Sequence, residues 1–110
     1  MTDANPYSRT LEALSHLGPR DIAALYYGTW CMLRDAQENQ ALPRSRRLDS
    51  PATRVEVASG YVRLLAEAIV QLPAVDRRKA EAVQDFLAAS VHPAMRSLGE
   101  RLGRALEQAA

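Results

Sequence analysis

A chain of 110 residues with 47% hydrophobic and 25% charged side chains can bury one hydrophobic core but not two. Its net charge of +1 excludes the broad basic excess of a protein built mainly to hold nucleic acid, while leaving room for a local basic patch. One cysteine excludes an internal disulfide, and no apolar run approaches the ~20 residues that span a bilayer. The N-terminus has neither the basic nor the apolar part of a leader. The expectation is a single cytoplasmic domain with no membrane segment.

Asn5-Pro6 reads as an N-cap followed by proline at the first helical position. Tyr7, Leu11, Leu14 and Leu17 continue at helical spacing, which predicts a first helix over about 6–17. Gly18-Pro19 stops it, with Gly18 expected in the left-handed C′ position. A second helix is predicted over about 19–41. At 100° per residue Ile22, Leu25, Tyr26, Thr29, Trp30, Met32, Leu33 and Ala36 share its core face. The rear carries Ala24, Tyr27, Gly28 and Cys31, small and uncharged where a surface helix usually holds charge.

Residues 42–50 form the one long loop and bring Arg44, Arg46 and Arg47 together. Asp49 or Ser50 caps a third helix, over about 51–72, that starts at Pro51. Val55, Ala58, Val62, Leu65, Ile69 and Leu72 give it the clearest stripe in the chain. Val57, Tyr61, Leu64 and Ala68 widen that stripe enough for two neighbouring helices. After Pro73 a fourth helix, over about 74–92, is expected to bury Val75, Ala82, Val83, Phe86, Leu87 and Ala89. Pro93 either kinks the chain or breaks it tightly. The last helix, over about 93–108, turns Met95, Leu98, Leu102, Leu106 and Ala109 inward. Its solvent side holds Arg96, Glu100 and Arg104 at pairing distance. With no strand pattern, the fold class is all-α: an antiparallel bundle of four to five helices, in a single domain over 1–110.

Residues able to carry chemistry are few. Glu12 with His16 and Asp85 with His92 share helical faces, but two histidines and no Glu-x-x-His motif do not make a bundle metal site. Both histidines are expected near helix ends, against terminal carbonyls. Cys31, between Trp30 and Met32, reads as a small buried hydrophobe, not a nucleophile. Leu48-Asp49-Ser50 with Val55-Glu56-Val57 faintly resembles the attachment site of acyl carrier proteins. Pro51 stands where that family has leucine and the surroundings are basic, so Ser50 reads as a helix cap. No catalytic residue, cofactor or metal is expected.

Surfaces are the better candidates. Mid-helix glycine costs about 1 kcal/mol against alanine. Gly28 beside Ala24, and Gly99 one turn before Gly103, therefore suggest close approach of another helix, from the bundle or from a partner. The expected partner interface is Ala24, Tyr27, Gly28, Cys31, Gly99 and Gly103. Arg44, Arg46, Arg47 and Arg54, and separately Arg77 and Arg78 with Lys79, are basic groups suited to phosphate or to an acidic partner. Cations at a helix start oppose its dipole, so the 77–79 triplet calls for a tertiary or external partner.

The function expected first is a small helical interaction or assembly subunit without catalytic activity, self-associating or docking into a larger complex. The alternative is a small subunit of a nucleoprotein complex that touches phosphates through Arg44, Arg46, Arg47 and Arg54. In size and general architecture such a bundle resembles the small helical subunits of CRISPR effector complexes, a likeness that no motif carries. Ranked last is a helical enzyme with a pocket walled by Tyr26, Tyr61 and Arg63.

Overall fold

Five α-helices build the protein: α1 (Ser8–Ser15), α2 (Pro19–Ala41), α3 (Pro51–Val70), α4 (Arg77–Ala88) and α5 (Pro93–Gln108). A 3-10 turn, Leu72–Ala74, joins α3 to α4. The computed structural model describes residues 5–41 and 51–109, and among these there is no strand. The fold is an all-α bundle in which α2 pairs antiparallel with α3 and α4 with α5.

The helix ends differ from expectation for local reasons. Asn5 Oδ1 accepts from the Tyr7 N–H at 2.9 Å and the Ser8 N–H bonds the Asn5 carbonyl, so 5–7 is a turn and α1 starts at Ser8. Glycine is not in the left-handed region anywhere in the described residues. Gly18 instead lends its carbonyl to the Ile22 N–H, inside the first turn of α2. α3 ends at Val70, two residues early. Pro73 has no N–H for a helical bond, and the chain tightens until Val75 and Asp76 both bond the Leu72 carbonyl. Asp76 then caps α4 by accepting from the Lys79 N–H at 3.1 Å, so this helix starts at Arg77 and leaves Val75 on the surface. Pro93 breaks the chain. Ser90 Oγ accepts from the His92 N–H at 3.1 Å, and His92 is extended as the residue before proline prefers.

The basic start of α4 finds its partners within the fold. Lys79 Nζ donates to the Leu14 and Ser15 carbonyls at 3.3 and 3.0 Å, at the end of α1. Arg77 Nη1 donates to the Leu106 carbonyl at 3.1 Å, in the last turn of α5, and its Nε lies 3.7 Å from Glu81. These carbonyls lie at helix ends, where internal donors run short (that of Leu14 also accepts from the Leu17 N–H at 3.1 Å), and the cations also meet the negative ends of two dipoles. Lys79→Met is expected to destabilise the protein by about 1–2 kcal/mol. Hydrogen exchange should show protection lost in α1 and kept in α5.

The main core joins all five helices through Leu14, Ile22, Ile69, Leu72, Val83, Leu87, Leu98 and Leu102, each almost fully buried. Farther along the α2–α3 pair Trp30, Val55 and Val62 pack against a second cluster, Leu33, Ala36 and Ala58. This outer part is a two-helix arm. The radius of gyration of 15.6 Å exceeds the roughly 13 Å of a compact chain of this size, as such an arm requires.

The arm explains which expected core residues are exposed. Leu25 and Met32 of α2 and Val57 and Tyr61 of α3 are 44–49% exposed, because none of the described residues covers that flank of the pair. The buried stripe of α2 keeps Ile22, Tyr26, Thr29, Leu33 and Ala36 of the expected face and adds Ala23. Phe86, Ala89 and Ala109 are likewise exposed, and α4 buries Ala80, Val83 and Leu87. On α5, Met95, Leu98, Leu102 and Leu106 are buried as expected. Arg96, Glu100 and Arg104 face solvent but form no ion pair with one another; the ion pairs among the described residues are Arg77–Glu81 and Arg101–Glu67.

Candidate functional site

α2 meets solvent through three surfaces, and Trp30 separates two of them. On one side of Trp30 a cleft of about 230 Å³ is lined by Tyr27, Trp30, Cys31, Arg34 and Gln37 of α2 and by His92 from the α4–α5 corner. The His92 ring meets Tyr27 edge to face at 5.7 Å and stands 6.1 Å from Trp30. Its Nδ1 and the Trp30 Nε1 are both buried and have no hydrogen-bond partner. His92 therefore stands ahead of α5 as part of an aromatic cluster, where sequence placed it against terminal carbonyls at a helix end. His16 follows α1 and is exposed.

On the other side of Trp30 lies a larger cleft, about 340 Å³, between α2, α3 and α5. Tyr26, Leu33, Val62 and Ala66 form its apolar floor, and Ser59, Arg63, Glu67 and Arg101 its rim. Tyr26 and Trp30 meet edge to face at 6.5 Å. Arg101 Nη2 donates to Glu67 Oε1 at 2.9 Å, which ties α5 to α3. Arg63, one turn before Glu67, is exposed and has no ion pair or hydrogen bond among the described residues. Tyr26 and Arg63 are two of the three walls expected for a pocket. Tyr61 is the third and is absent from it: residues two apart stand on opposite sides of a helix, so 61 and 63 cannot share a wall.

The third surface is the open flank of the arm. Leu25 and Met32 lie on the side of α2 away from this larger cleft, and Val57, Tyr61 and Leu64 on the corresponding side of α3. Because the pair is antiparallel, the two flanks face the same way. Helical spacing adds Ala24 and Gly28 from α2 and Gly60 from α3. These eight are uncharged; Asp21 and Asp35, both exposed, bound the α2 stretch at its two ends, and Arg54 stands one turn before Val57 on α3. A Cβ built on Gly28 or Gly60 meets no atom within 4 Å, so nothing inside the protein requires glycine at either position.

The predicted interface residues are thus distributed over different places. Ala24, Tyr27 and Gly28 are exposed and Cys31 is half-buried. Tyr27 and Cys31 wall the aromatic cleft, while Ala24 and Gly28 belong to the open flank. Gly99 is buried, with an added Cβ 3.2 Å from the Ala88 nitrogen and from Leu87 Cβ, so the helix it admits is α4 of the same chain. Gly103 faces the flexible end of Gln84. Of the basic residues, Arg44, Arg46 and Arg47 lie outside the described residues, and Arg54 is half-buried on α3. Arg77 is engaged with α5, and Arg78 is exposed.

The geometry defines a five-helix bundle with a two-helix arm, one flank of which no described residue covers, and no helix among the described residues is long and apolar enough to cross a membrane. Comparison with protein-family models, with curated proteins and with solved structures finds no match.

Proposed function

We propose that the protein is a small helical assembly subunit without catalytic activity of its own, and that the open flank of α2 and α3 is its docking surface. The observation that carries this is the apolar stretch of Ala24, Leu25, Gly28 and Met32 beside Val57, Gly60, Tyr61 and Leu64, bounded by Asp21 and Asp35 on α2 and by Arg54 on α3. Exposed apolar residues clustered on one face are the ordinary mark of a contact surface. Two mid-helix glycines with open space above them fit a partner helix that comes in close. A second copy of the chain offers the same apolar stretch. An unrelated helical partner fits it equally well.

Light scattering with and without the candidate partner tests this. Tyr61→Asp with Met32→Asp should abolish association and leave the circular dichroism spectrum unchanged. Gly28→Ala with Gly60→Ala is the sharper variant: it should raise the melting temperature of the isolated chain and weaken assembly. A chain that stays monomeric at every concentration, and recovers the same companions from its host with or without these changes, overturns the proposal. No observation among the described residues favours the nucleoprotein alternative: three of its arginines lie outside them and Arg77 is engaged in the fold.

A further inference from the structure

We infer that the cleft between α2, α3 and α5 is a binding site for a small amphipathic organic anion, a monocarboxylate with an aromatic or short aliphatic body. The site lies on the opposite side of the α2–α3 pair from the proposed docking flank and is independent of it. Its size, about 340 Å³, falls at the lower end of the range of ligand pockets. Its composition is also theirs: an apolar floor that includes Tyr26 and Val62, and a few polar groups converging at the rim.

The charge on that rim selects the ligand. Arg101 and Glu67 neutralise one another across 2.9 Å, which leaves Arg63 as an uncompensated guanidinium at the mouth. A guanidinium fork takes a carboxylate through two parallel hydrogen bonds. The Ser59 hydroxyl on the same rim is a further donor. The Trp30 ring forms a wall of the cleft. Glu67, the one carboxylate among the lining residues, is already engaged by Arg101, so the charge left free on the rim is positive. The free positive charge of Arg63 opposes a cationic ligand and attracts a carboxylate on an apolar body.

The test uses the full chain, labelled with nitrogen-15, and 3-phenylpropionate as the probe, with 3-phenylpropan-1-ol as its uncharged counterpart. Saturable shifts are expected at the amides of 59–67 and at the Trp30 indole N–H, with the alcohol binding about tenfold more weakly or worse. Arg63→Gln should weaken the acid by about tenfold and leave the alcohol unchanged. Arg78→Gln, a change at an exposed arginine outside the cleft, should alter neither. Linear, unsaturable shifts overturn the inference, as do equal affinities for acid and alcohol, or shifts confined to Tyr27 and His92. The docking variants Gly28→Ala and Gly60→Ala should bind the acid normally, so either proposal can fail without the other.

Discussion

Leu102→Ala is expected to destabilise the protein by about 3 kcal/mol, the middle of the range for a large buried residue cut back to alanine. Leu102 has no exposed surface and joins the cluster that contains residues of α1, α2, α3 and α4. The emptied volume is bounded by several helices, so no single one can move to fill it. A domain of this size has about 5–15 kcal/mol in total, so the loss is a large share of its stability. Thermal unfolding followed at 222 nm should show the midpoint lowered by about 10 °C or more. Val91→Ala, at a valine 90% exposed, should stay within about 0.5 kcal/mol of the parent and serves as the control.

Gly99 and Gly28 should respond to added side chains with opposite signs. An alanine Cβ at 99 meets the Ala88 nitrogen and Leu87 Cβ at 3.2 Å, closer than ordinary contact, and one of these atoms is backbone. Valine adds two methyl groups there and forces α4 and α5 apart. Gly99→Val is therefore expected to cost about 3 kcal/mol, the upper end for overpacking a filled core. At Gly28 nothing lies within 4 Å, and only helix propensity acts. Gly28→Ala should stabilise the isolated chain by about 1 kcal/mol. Urea titrations of both variants beside the parent decide the matter. A stabilised Gly99→Val would mean that α4 and α5 are not in close contact at this point.

These two glycines also show how far the sequence could be read. Gly28 and Gly99 look alike in one dimension, each inside an apolar helix with a small residue one turn away. Only the position of α4 separates them. The same limit applies elsewhere. Spacing identified the five helices, and the stripes of α3 and α5 were largely correct, because each residue's place on its own helix follows from 100° steps. Which side of α2 or α4 has a neighbour is a property of the whole fold, so Leu25, Met32 and Phe86 were assigned to a core they do not enter. The arginine cleft was half legible. Tyr26 and Arg63 stand out as an aromatic and a cation on facing helices, but Arg101 reaches the site from α5, 34 residues from Glu67. The partners of Lys79 were foreseen in kind, from the conflict between cations and a helix start, but not in identity.

Trp30 gives the molecule a property separate from its packing role. It is the chain's single tryptophan and stands where the bundle core, the arm, the aromatic cleft and the arginine cleft adjoin. Excitation at wavelengths that tyrosine does not absorb therefore reads one defined place in the structure. Separation of the arm helices would admit water to the indole and shift its emission to the red, while a molecule held in the cleft would exclude water and shift it to the blue. Loosening of the arm and occupancy of the cleft are thus distinguishable by the colour of one intrinsic fluorophore, with no label attached.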